Sequence, residues 1–293
     1  MPLDLIFYAI FLSQIILVSI FYPRKIFERS SYVLSNYPAE DYPKLYMGAK
    51  DTDTASNLRK SFKMHYNICL ATAGVGFTLL SLMVVSGYVP SQIKANGHLA
   101  FVMLFVFAQA IPYILSAITA QNWQRNIRKS APPTTRRADL TPRRLFDFVS
   151  PIYLAIAVGA FIAWITYYFS NKGFLTPWDW PTYVTVFFMA GMNLIMVLIG
   201  YHYLRGKKQN PHQAGKDQRK IIETTLRIFI FASILMSAQL IMMDAINQNG
   251  WDMFEPVALS LNIQIAIILG VGEELRHLKV KDMDFNVYRS KTM

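Results

Sequence analysis

A single cysteine, Cys69, occurs in the 293 residues. One cysteine forms no internal disulfide, and with it go CxxC redox pairs, CxxCH haem attachment and thiolate zinc sites. Acids are also few, 18 Asp and Glu against 29 Lys and Arg. Asp244 is the one acid well inside an apolar run, so a pair of intramembrane aspartates on different helices is excluded. The sequence has no G-x-x-x-x-G-K-[ST] phosphate loop, no GxSxG nucleophile turn and no HExxH zinc motif. Nothing in it names a substrate or a reaction.

What the chain does have is long apolar runs. Mostly apolar stretches lie at 3–22, 66–88, 99–120, 149–169, 182–203, 222–246 and 254–272. A bilayer core of ~30 Å takes ~20 such residues as a helix rising ~1.5 Å per residue. Runs such as VMLFVFAQAIPYILSAITA (102–120) are continuous rather than alternating. They fit helices and not barrel strands. The expected fold is an all-α, seven-helix transmembrane bundle forming one domain over 1–293.

Charge supplies the orientation. Basic residues fill the loops after helices 1, 3 and 5 and the stretch after helix 7. Of the 29 Lys and Arg, only Lys94 and Lys172 fall in the other loops. Basic loops stay cytoplasmic. The N-terminus is therefore expected outside and the C-terminus cytoplasmic, in a plasma or inner membrane. The net charge of +11 is explained by this distribution, which excludes nucleic acid as the reading of the basic pI. Expected partners are membrane lipids, with anionic headgroups at the cytoplasmic face, and other membrane subunits or a second copy of the chain. Tyr22, Tyr88, Trp123, Trp178, Trp180, Tyr201 and Trp251 stand near segment ends, where amphipathic rings prefer the headgroup level.

The first run has no basic residue before it, carries Asp4 and lacks a small-x-small cleavage site. It reads as an uncleaved first helix. The region 23–65 contains three Tyr-Pro steps, at Pro23, Pro38 and Pro43. It is expected to be an extended connector on the membrane surface without a core of its own. Thr141-Pro142 and Ser150-Pro151 read as helix starts, with a short interfacial helix at 141–148. Glu223 and Arg227 have the favourable i, i+4 order.

Polar side chains at membrane depth are where function is sought first. Gln109 and Asn193 fall near mid-membrane, Gln264 close to that level, and Gln239 and Asn262 in the outer half. Helices 3, 5, 6 and 7 thus each carry an amide. Facing one another, these would ring an outward-opening cavity and form a ligand or ion pathway. Paired directly, they would only join helices. Asn262 and Gln264 are two residues apart and cannot both face one cavity. Pro112, a turn after Gln109, removes a backbone hydrogen bond beside it. Asp244, with Asp252 and Glu255 nearby, offers an acidic outer mouth, or a simple partner for Lys94 or Lys172.

Of the five histidines, His65 and His202 share the inner boundary, the spacing an axial haem pair needs. Neither sits in an established ligand motif, so no metal and no cofactor is expected. Glu273-Glu274 close helix 7 against its dipole and call for the cations Arg276 and His277. Helix 7 has no lysine for a retinal Schiff base. The expected function is transport, or binding of a small solute or ion, by a non-enzymatic bundle. The alternative is a non-catalytic subunit holding partners or lipids on its basic face.

Overall fold

The computed structural model describes residues 2–47, 54–88, 97–130, 143–174, 177–206 and 210–290. Among them the chain is helical, with no strand. Seven helices are long and apolar enough to cross a membrane, compatible with a multi-pass integral membrane protein. They are α1 (2–36), α2 (Thr54–Val85), α3 (Gly97–Ser130), α4 (Pro151–Lys172), α5 (Trp180–Arg205), α6 (Gly215–Gln248) and α7 (255–277). Large apolar side chains such as Leu104, Phe187 and Val197 point outward, 66–84% exposed. That exterior suits a lipid solvent and not water.

Several helices overrun the lengths expected from hydropathy. α1 continues to Asn36, α2 starts at Thr54, α3 runs to Ser130 and α6 starts at Gly215. All these extensions lie at one end of the bundle, called here the basic end. Hydropathy marks where a helix leaves apolar surroundings, not where its backbone stops. Residues 22–36 are polar but strongly amphipathic, and they stay helical by packing on α2. The surface connector expected over 23–65 is therefore largely helix, with a 3-10 turn at Pro43–Leu45.

The same end also builds a small packed layer, which the sequence reading had not foreseen. Tyr37 stacks on Phe285 with ring centroids 3.9 Å apart, and Tyr46 donates to the Tyr37 carbonyl at 2.6 Å. Buried Asp217 accepts from the Asp284 amide at 3.0 Å. The segments before α2, before α6 and after α7 share this layer, so none needs a core alone. Burial, then nearby Asp217 and Asp284, pushes the Tyr288 hydroxyl up to about 12. Burial, then Lys44, lowers His212 below the ordinary histidine value.

The start at Ser150-Pro151 has the expected form: Ser150 Oγ accepts from the Ile152 amide at 3.4 Å. Thr141 and Pro142 lie outside the described residues. The helix expected over 141–148 is represented there by a 3-10 turn at Leu145–Asp147.

The spans pack as two units. α1, α2, α3 and α7 enclose Phe7, Phe11, Ile15, Ala73, Val102 and Phe105. α4, α5 and α6 enclose Trp164, Tyr168 and Met189. Packing of α6 on α7 joins the two. Of the small residues of α2, Ala73 and Gly76 are buried. A Cβ on Gly76 would come within 2.5 Å of the Phe105 ring, so glycine sets the approach of α2 to α3.

α1 passes through Pro23 without breaking. Residues Leu17–Phe21 form a π turn, in which the Tyr22 amide bonds the Leu17 carbonyl. In that register the Val18 carbonyl would take its proton from residue 23, and proline has none to give. Tyr113 of α3 fills the vacancy, donating to the Val18 carbonyl at 2.6 Å. A second π turn, Ile268–Gly272, lies in α7. A Cβ on Gly272 would lie 2.6 Å from the Tyr22 hydroxyl, so the two altered turns meet.

Candidate functional site

The amides singled out from sequence fall into separate clusters. Gln109 is buried in the four-helix unit. Its Nε2 donates to Ser19 Oγ at 2.9 Å, and its Oε1 accepts from Gln14 Nε2 at 2.7 Å. Gln14 Oε1 accepts in turn from Ser260 at 2.5 Å. Gln264 donates to the Ile10 carbonyl at 3.1 Å and accepts from Ser13 at 2.9 Å. These contacts join α1, α3 and α7 directly, with no room between partners. Asn262 points in another direction along α7.

Asn193 belongs to the three-helix unit. It accepts from Ser233 of α6 at 2.6 Å and donates to the Met189 carbonyl at 3.0 Å. Gln239 has its Oε1 buried without a hydrogen-bond partner, as has Trp164 its Nε1. Asp244 accepts from Asn171 at 3.2 Å and Gln248 at 2.9 Å, tying the ends of α4 and α6. Gln109 and Asn193 therefore do not face a shared void. Gln14, Ser19 and Ser260 are the partners sequence reading missed. Gln14, a glutamine in mid-run of helix 1, was the visible signal.

The two boundary histidines do not face each other either. His202 is exposed on α5. His65 is buried between α2 and α3. Its Nδ1 donates to the Pro112 carbonyl at 3.1 Å, and Cys69 Sγ lies 3.8 Å from its Nε2. A carbonyl only accepts, so the proton sits on Nδ1 and the thiol donates to Nε2. Both ring nitrogens are thereby used within the protein. No group of three His, Cys, Asp or Glu arranged to hold a metal ion occurs among the described residues.

Above that histidine lies a cleft. It has a volume of about 350 Å³ and sits between the polar extension of α1, the start of α2 and the second half of α3. His65, Ile68 and Pro112 form its floor, with Leu58, Leu115 and Trp123 on its walls. Leu45 and Tyr46, from the turn after α1, lean over it. The size is that of a small-molecule site. Two of its hydroxyls are committed to backbone carbonyls: Thr119 bonds that of Leu115 at 2.8 Å, and Tyr46 that of Tyr37 at 2.6 Å. Among the described residues Arg29 is the one charged side chain of the lining. Pro112, sought as a kink beside Gln109, instead presents its own carbonyl to His65 at the base of this cleft.

At the same end, α7 finishes on a carboxylate cluster. The Glu273 side chain is only 7% exposed, 2.6 Å from Arg276 and 2.7 Å from His277. Arg227 approaches it at 3.8 Å while bonding Glu223 at 2.6 Å. The cations required against the helix dipole are thus present. Glu274 reaches across to Arg29 of the cleft at 3.8 Å.

No protein-family model, no curated protein and no solved structure matches this chain. Function must be read from the geometry alone.

Proposed function

We propose that this chain is a multi-pass membrane protein that binds a small, mostly apolar molecule at its cytoplasmic face. The placement rests on the basic residues, which gather at the end where α1 leaves and α2 begins. The N-terminus is then outside. The observation that carries the binding reading is the apolar cleft floored by the His65–Pro112 hydrogen bond. An apolar hollow within the hydrocarbon layer is filled by lipid tails. This one rises beside the polar ends of α1 and α2, where leaving it to water is costly. The role is binding or carriage rather than catalysis: His65, Tyr46 and Thr119 around the cleft are each bonded to a backbone carbonyl.

Ser116, half-buried on the α3 wall, gives the test. Protein extracted from its native membrane should carry a small molecule, detected by mass spectrometry, that is lost in Ser116→Phe. Identical contents in a folded Ser116→Phe protein would overturn the reading.

A second reading is favoured by the interlocked layer of Tyr37, Phe285 and Asp217. It presents a fixed basic face, suited to a non-catalytic subunit that holds anionic lipids or protein partners. Cross-linking from that face in native membranes, yielding one recurrent partner protein, would support it over the cleft.

A further inference from the structure

We infer that the molecule taken by the cleft is an anionic single-chain amphiphile, with a carboxylate that Arg29 holds. This rests on the cleft being a binding site, as proposed above. Among the described residues Arg29 is the only charged one in the lining, and the rest of the wall is chiefly aliphatic and aromatic. The Arg29 side chain is 24% exposed, and its ion pair to Glu274 is long at 3.8 Å. Glu274 itself is 53% exposed and lies outside the cleft lining.

Register places this cation deep in the cleft. Phe27 stacks on Tyr66 at 5.4 Å, and Arg59 reaches Ser35 at 3.5 Å. α1 and α2 run antiparallel, so Arg29 stands at the level of His65, beside the floor. An uncharged apolar ligand seated there would strip water from the guanidinium and give nothing back. A carboxylate would restore the lost interaction with two charge-assisted hydrogen bonds, for which the planar guanidinium fork is shaped. Glu274 already shows that a carboxylate is drawn to this group. The ligand then competes with Glu274, and its chain lies along Leu58, Leu115 and Trp123. One cation calls for one anionic head, and the apolar wall for the chain behind it.

The test uses Trp123, which lines the cleft, as the reporter. Full-length protein in nanodiscs of zwitterionic lipid is titrated with brominated dodecanoate and with its methyl ester. Quenching of Trp123 is taken as the difference from Trp123→Phe. The carboxylate should quench at ~10-fold lower concentration than the ester, although partition into lipid alone favours the ester. Arg29→Gln should remove that preference while leaving quenching by the ester in place. Glu274→Gln should tighten the carboxylate ~2–5-fold and leave the ester unchanged. Equal quenching by acid and ester in the wild type overturns the carboxylate assignment alone. Absence of Trp123-dependent quenching by either overturns the cleft as a binding site. Equally strong quenching by a brominated phospholipid of the disc makes the occupant a bilayer lipid, and overturns the single-chain assignment.

Discussion

Tyr113 of α3 donates its hydroxyl to the Val18 carbonyl of α1 at 2.6 Å, a carbonyl whose donor in the π register would be Pro23, which has no amide proton. The relationship has a direct consequence. Tyr113→Phe leaves a carbonyl unpaired in apolar surroundings and should cost ~1–3 kcal/mol. In a Pro23→Ala background residue 23 has an amide proton for Val18, so the same change should cost clearly less. Unfolding in mixed micelles, run as a double-mutant cycle, measures this. Equal costs in both backgrounds would show that proline is not the cause.

The buried amides separate by partner. Gln109 is bonded to Gln14 and Ser19, and Gln109→Leu should lower stability by ~0.6–1.7 kcal/mol. Gln239 has an unpaired buried oxygen, so Gln239→Leu should be neutral or stabilising. Gln109→Leu and Asn193→Leu lie in different packing units and should add. A large non-additive term between them would point to a coupling the structure does not contain.

The basic-end layer should weaken in alkali. Tyr288 titrates at about 12 in the fold, above ~10 for an unfolded tyrosine. Its folded-state pKa is raised, so its contribution is complete below pH ~10. That contribution is lost as pH climbs through the folded value. Tyrosinate absorbance of the wild type minus that of Tyr288→Phe should show one late-titrating ring, lost to earlier titration on unfolding.

In acid the sign reverses through His212, whose pKa is lowered by burial and by Lys44. The fold holds it neutral, so its contribution is present above ~6.5, the ordinary histidine value. It fades as pH falls through the lower folded value. Amide exchange at 210–220 should rise on acidification, and His212→Gln should flatten that response. An unchanged pH profile in the variant would remove His212 as its source.

Orientation is open to labelling. Single cysteines at Lys94 and at Arg136, both outside the described residues, should differ toward an impermeant thiol reagent on intact cells. Position 94 should label and 136 should not. Native Cys69, 1% exposed, adds little background. The reverse pattern would turn the bundle over and put the cleft on the outer face.

The sequence by itself determined the all-helical class, the count of seven spans and the gathering of basic residues on alternate loops. It also marked local features that need only neighbours in the chain: the Ser150-Pro151 start and the Glu223–Arg227 pair. These are readable because hydropathy, charge and capping are properties of short segments. Tertiary structure decided what meets what. Gln109 and Asn193 looked alike in sequence, yet rotation of their helices sent one to Gln14 and the other to Ser233. Pro23 looked like a break, but a π turn before it and a tyrosine from another helix absorb it. His65 stood in sequence only as one of two histidines at the inner boundary, and becomes the floor of a cleft because Pro112 arrives at the same level. Helix rotation and register are set by contacts between segments far apart in the chain, and no local pattern encodes them.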